Sequence, residues 1–230
     1  MASSGTEARI VAVRESLVSI ELEEGAITKN EVAFIRPKRA DDDVRLSAEV
    51  LRVMGRRADL QVYEDTSGVA VGDKVELTQQ LLSVELGPGL LGRVYDGLQN
   101  PLPALAEDHG FFLPRGIRAD ALDPTRRWAF TPTARTGQRL SPGAWLGTVM
   151  EGHVEHRICV PFDELESVTV SWIQQGSFTI DTPIARIARR DGSERDVTMV
   201  QTWPVRVPLG TQLVERRWAE RIYPVEPLIT

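Results

Sequence analysis

The stretch "SVELGPGLLGRVYDGL", residues 83 to 98, decides between two fold classes. Gly87-Pro88-Gly89-Leu90-Leu91-Gly92 satisfies G-x-G-x-x-G, the pattern with which a doubly wound α/β domain cradles a pyrophosphate. That mechanism needs a strand before the glycines and a helix after them, because the phosphates sit on the helix's free N–H groups. Val84-Glu85-Leu86 can end such a strand. The residues after the glycines cannot propagate a helix, since Gly92, Asp96-Gly97 and Pro101 interrupt it at short intervals. The carboxylate wanted for the ribose has one candidate, Asp108, but it lies beyond Pro101 and Pro103, with no room for a βαβ unit of about 30 residues. Gly87, Pro88, Gly89, Gly92, Asp96 and Gly97 therefore read as structural turns between extended segments, and the chain as all-β.

Working outward supports that class. Residues 7 to 78 alternate apolar and polar positions in short bursts: "LVSIEL" puts Val18, Ile20 and Leu22 on one face, "EVAFI" supplies Val32 and Phe34, and "ADLQVYED" supplies Leu60 and Val62. Turn signals ("EEG", "ADDD", "MGRR", "DTSG", "VGD") separate them, which predicts a small N-terminal β-barrel over residues 1–78. Residues 79–109, rich in Gly and Pro, read as a connector with at most a turn or two of helix. A second β-rich module, a bulge, spans 110–198, where "ESVTVSWIQQGSFTIDTPIARIARR" gives the clearest period-2 run. Residues 199–230, with Pro204, Pro208, Pro224 and Pro227, read as an extended linker.

Composition removes several functions. The chain carries 27 basic against 33 acidic residues, a net charge of −6, so it lacks the basic face that nucleic acid or an anionic membrane requires. A free-standing OB-like or sandwich binding module is the alternative reading, but such a module wants aromatics interleaved with basic residues, and only 6% of the chain is aromatic. One cysteine, Cys159, permits no intrachain disulfide and fits a reducing compartment. There is no signal-peptide pattern and no apolar run of the roughly 20 residues that span a bilayer, so a cytoplasmic chain without membrane insertion is expected.

Catalytic signatures are missing. His153, His156 and Cys159 are spaced by three, but in a strand that spacing sends successive side chains to opposite faces, so no metal site is expected. No Gly-Lys dipeptide occurs, so no P-loop can be built. Catalytic, nucleotide-binding and metal residues are accordingly expected to be absent, and the chain by itself is expected to need no cofactor. "GQRLSPGAWLGTV" (137–149) and "GSFTIDTPIARI" (176–187) resemble the two halves of a lipoyl- or biotinyl-type sandwich. Such carriers load a lysine, and the three lysines here, Lys29, Lys38 and Lys74, all fall in the first module.

Six blocks then point to a family: "QVYEDTSGVAVGDKV" (61–75), "LSVELGPGLLGRVYDGLQNPL" (82–102), "LPRGI" (113–117), "VEHRICVPF" (154–162), "MVQTWPVR" (199–206) and "PVEPLIT" (224–230). In that order they resemble the N-terminal region of the catalytic A subunit, the alpha chain, of the V/A-type rotary ATPases, closer to the bacterial branch. The resemblance implies a barrel, then a bulge, then a nucleotide-binding domain whose phosphate loop would come after Thr230. It implies that the glycines of the first stretch form the barrel–bulge junction. It further implies that the full-length parent uses ATP and Mg, transports protons or sodium, and lies peripherally on the inner face of the membrane. Its partners would be the B subunit, met through the barrel, and peripheral-stalk subunits, met through the bulge. Arg126-Arg127 and Arg189-Arg190, beside Asp120, Asp123, Asp191 and Glu194, read as charged rims suited to that stalk contact.

Overall fold

The computed structural model describes residues 6–38, 44–110 and 115–208. The expected linker beyond residue 208, including "PVEPLIT", lies outside the described residues, as do residues 1–5. The chain divides into two compact units, one holding residues 1–82 and 104–118, the other 83–103 and 119–230.

The first unit is a closed six-stranded antiparallel barrel. Its strands are β1 (Thr6–Arg14), β2 (Leu17–Leu22), β3 (Glu31–Arg36), β4 (Leu46–Met54), β5 (Arg57–Val62) and β6 (Lys74–Leu81), in the order β1-β2-β5-β4-β3-β6, with β6 closing on β1. Closure leaves no unpaired edge. Alternation does the rest: Val18, Ile20 and Leu22 are 0 to 2% exposed, as are Leu60 and Val62. Burying each such side chain contributes about 2 kcal/mol. The third strand has the opposite phase from the one expected. Ala33 and Ile35 are buried while Val32 and Phe34 are half-buried. "EVAFI" is apolar on both faces, so residue size cannot set its phase; the narrow interior takes Ala33, and Phe34 lies outside beneath the Arg118 guanidinium, 5.0 Å from the ring centroid.

A buried carboxylate fixes the register of that strand. Between Glu31 and Ala33 the partner β6 advances from Leu81 to Leu77, so extra residues bulge out around Gln79, whose φ is 56°. Fully buried Glu31 accepts the Thr28 N–H at 2.6 Å and the bulged Gln79 N–H at 2.8 Å, satisfying amides that the ladder leaves unpaired. Residues 115–118 return to this unit. There Arg115 donates to the carbonyls of Asp65 and Ser67, and Gly116 donates its N–H to Glu64. Residues 115–118, which strand periodicity assigns to the bulge, therefore group with the barrel, and the second unit resumes at Ala119.

The second unit opens with β7 (Ser83–Leu86), and α1 (Leu102–His109) spans the point where the chain passes back to the first. Its body comprises β8 (Arg127–Pro132), β9 (Arg139–Leu140), β10 (Trp145–Glu151), β11 (Val154–Cys159), β12 (Val168–Ile173), β13 (Gly176–Thr179), β14 (Ala185–Ala188) and β15 (Glu194–Val197). These form two four-stranded antiparallel sheets, β11-β10-β8-β13 and β15-β14-β12-β9. One apolar cluster centres on Leu146, Val170 and Ile187, the other on Trp128, Phe130, Val149 and Ile184. A final strand, β16 (Gln201–Pro204), pairs antiparallel with β7. The start of the expected linker is thus part of the fold: Met199 and Trp203 are buried, and the Trp203 indole donates to Val207 O at 2.8 Å. Proline removed strand donors without removing the apolar residues between them.

Candidate functional site: a glycine turn closed on a carboxylate

After Leu86 the chain makes two successive turns and no helix until Leu102. Gly87-Pro88-Gly89-Leu90 places proline second and glycine third, as a type II turn favours, and Gly89 has φ 114°. The next turn closes with Arg93 N–H donating to Leu90 O at 3.3 Å, and Gly92 has φ 72°. Gly87 serves a different need: a Cβ there would sit 2.9 Å from Val200 Cγ2 and 3.2 Å from Met199 O, so only glycine lets this segment approach so closely.

The two turns aim backbone N–H groups inward, as a phosphate-binding loop does, but the anion they hold belongs to the chain. Glu151, the last residue of β10, accepts the Gly89 N–H at 2.7 Å and the Leu91 N–H at 2.9 Å, both on Oε1. Its Oε2 lies 2.8 Å from His156 Nδ1 on β11. Glu151 is only 7% exposed. Burial pushes its carboxyl up, but the His156 hydrogen bond and the Leu91 and Gly89 amides outweigh that and hold it below its ordinary value. Two convergent amides with a left-handed glycine among them form an anion-binding concavity, and here a side chain fills it.

Asp96 and Gly97 organise the next reversal. Asp96 accepts the N–H groups of Leu98 (2.9 Å) and Asn100 (2.8 Å) and the Asn100 side-chain amide at 2.8 Å. The Gln99 amide then bonds both backbone groups of Glu85, accepting from its N at 2.7 Å and donating to its O at 2.8 Å. This ties the loop back along β7 in the manner of an additional strand.

A second buried carboxylate lies in the 161–167 loop. Glu164, 4% exposed, takes a two-pronged Arg189 contact with both distances 2.7 Å, and Arg195 reaches it at 2.9 Å while also holding Asp163 at 2.8 Å. The Arg189 hydrogen bond leads in holding the Glu164 carboxyl below its usual range. The charged rims read from the sequence are largely engaged inside the unit. Arg126 stacks on Trp128 with its Cζ 4.0 Å from the ring centroid, Arg127 donates to Ser177 O, Arg189 holds Glu164, and Asp123 and Asp191 cap local turns at Thr125 and Ser193.

Of the spaced His153, His156 and Cys159, His156 meets Glu151. Cys159 contacts the Arg157 carbonyl with Sγ at 3.7 Å, its thiol pushed up by burial, and His153 lies in the β10–β11 turn. Among the described residues no three His, Cys, Asp or Glu side chains group as metal ligands, and no helix is long and apolar enough to cross a membrane. Glu151 and Glu164 are buried, internally paired carboxylates that sequence motifs do not pick out. A signal for Glu151 exists, because it stands two residues after Val149 on the inward phase of a strand, where a carboxylate needs a dedicated partner.

Comparison with known proteins assigns both units. Residues 10–79 match the beta-barrel domain of the ATP synthase alpha/beta family, and residues 119–206 match the barrel-sandwich domain of the ATP synthase alpha/beta subunits. The chain is 47% identical over 226 residues to V-type ATP synthase alpha chain 1 of Treponema pallidum, covering 98% of this chain and 36% of that protein. It is 43% identical to the V-type ATP synthase alpha chains of Borrelia garinii subsp. bavariensis, over 98% of this chain, and Borrelia hermsii, over 96%, and covers 37% of each relative. The chain thus spans little more than a third of the length of the relatives it matches. With a closed barrel followed by a two-sheet sandwich, each matched in order, the chain belongs to the ATP synthase alpha/beta family and carries its beta-barrel and barrel-sandwich domains.

Proposed function

We propose that this chain is the non-catalytic assembly and stator-contact region of the catalytic A subunit of a V-type ATPase. The barrel joins a ring with the B subunit, while the barrel-sandwich unit reaches the peripheral-stalk subunits. The full-length parent binds ATP and Mg in a further domain, couples ATP hydrolysis or synthesis to proton or sodium transport, and sits peripherally on the inner face of the membrane. The observation that carries this reading is the occurrence of both matched domains, in family order, in a chain aligned over 98% of its length with V-type alpha chains. The Glu151 clasp supports it too, since the glycine pattern that suggests a phosphate site is filled from within.

The test is to excise residues 119–198 from the full-length parent and assay the assembled complex for ATP hydrolysis, stalk retention and ion pumping in vesicles. The reading expects a complex with the B subunit that still hydrolyses ATP, loses the stalk and no longer pumps, because a stator that is not held cannot resist torque. Undiminished stalk retention and pumping would overturn it.

A further inference from the structure

We infer that Leu165 is the apolar anchor with which the sandwich unit grips its stalk partner, and that its docking pocket is apolar with a Lys or Arg at the rim facing Glu166. This rests on the reading of that unit as the stalk contact. Leu165 is 85% exposed, more than any other large apolar side chain among the described residues. A single exposed leucine is ordinary. What is not ordinary is the loop that holds it out.

Every residue from Phe162 to Glu164 is tied down. Phe162 donates its N–H to Gln201 Oε1 at 3.1 Å and sets its ring edge-on to Trp203, with centroids 5.8 Å apart. Asp163 is held by Arg195, and Glu164 by Arg189 and Arg195 together. The next residue, Leu165, projects into solvent from this fixed base. An anchor whose preceding residues are already fixed leaves less of its loop to be ordered on docking, which is where loop contacts usually forfeit affinity. The same ion pairs solve a second problem. Covering Leu165 must also cover its neighbours, and burying an unpaired carboxylate is costly. Asp163 and Glu164 are already matched by two guanidinium groups. Glu166, exposed on the other side of the anchor, carries no ion pair among the described residues, which selects a basic residue on the partner's rim.

The experiment uses the full-length protein in complex with the B subunit, titrated with purified peripheral-stalk subunits of the same organism. Leu165→Ala should weaken stalk binding about tenfold, the effect of a central hot-spot truncation, and Leu165→Asp more. Glu166→Lys should weaken it severalfold and flatten its salt dependence. Thermal unfolding and ring formation should not change, given the exposure of both side chains. Binding within twofold of wild type for both Leu165 variants would overturn the inference. Excision of residues 119–198 separates the two levels. If excision abolishes stalk binding while the Leu165 variants bind normally, only the anchor is wrong. If excision leaves binding intact, the stalk-contact reading fails and the anchor with it.

Discussion

Gly89 donates its backbone N–H to Glu151 across 62 residues of sequence, at 2.7 Å, and the same oxygen takes the Leu91 N–H. A glycine sequence that resembles a phosphate cradle is thereby an internal clasp, pinning the turn after β7 to the end of β10.

The clasp carries stability. Glu151→Ala leaves two inward amides and His156 without their acceptor, and should lower unfolding free energy by about 2 kcal/mol in urea denaturation at pH 7. Formate, a carboxylate that the two freed amides can hold, should raise the thermal midpoint of Glu151→Ala more than that of wild type. Equal responses to formate would mean that the amides do not form an anion site.

The three glycines of the pattern differ, and alanine should sort them. Gly89→Ala and Gly92→Ala put a side chain at positive φ and should each cost about 1 kcal/mol. Gly87→Ala should cost as much or more for another reason, its contact with Val200 and Met199 O. Gly97 has open space around its Cβ position and no positive φ, so Gly97→Ala should be neutral or stabilising by a few tenths of a kcal/mol. Equal thermal midpoints for all four variants would contradict these assignments.

Acid should open the second unit early. The Glu151 and Glu164 carboxyls are both held below their ordinary value in the folded chain. The stability they supply is therefore present above the unfolded glutamate value of about 4.3 and is lost as pH falls through the folded values. Glu151→Gln should flatten stability against pH in that acid window, measured by urea midpoints.

Arg189 should matter where its neighbour does not. Arg189→Ala leaves buried Glu164 with Arg195 alone and should destabilise by about 2 kcal/mol, less than the usual cost of breaking a buried pair because the Arg189 side chain is itself partly exposed. Exposed Arg190→Ala should fall within about 0.5 kcal/mol of wild type.

The barrel is legible in the sequence because its strands alternate cleanly: Val18, Ile20 and Leu22 declare one face and the structure buries them. The third strand is not, since Val32, Ala33, Phe34 and Ile35 are apolar on both faces and only barrel closure chooses between them. The glycine stretch can be refused as a nucleotide loop from its own breakers, Gly92, Asp96, Gly97 and Pro101, because helix propagation is a local property. Its true occupant cannot be named that way, because Glu151 arrives from far along the chain. Likewise Arg189 reads as a surface rim, for nothing local announces that Glu164 folds beneath it. Periodicity exposes what one strand buries; it is silent on which distant strand supplies the partner.

The claim that the glycine turn is filled from within can be read amide by amide. In nitrogen-15 correlation spectra the Gly89 and Leu91 N–H signals should titrate together, with a single midpoint below the ordinary glutamate value, and that joint titration should vanish in Glu151→Gln. Millimolar ATP with Mg should move neither signal at neutral pH. Amides that ignore the Glu151 titration, or that shift saturably with ATP in the wild-type chain, would contradict the account.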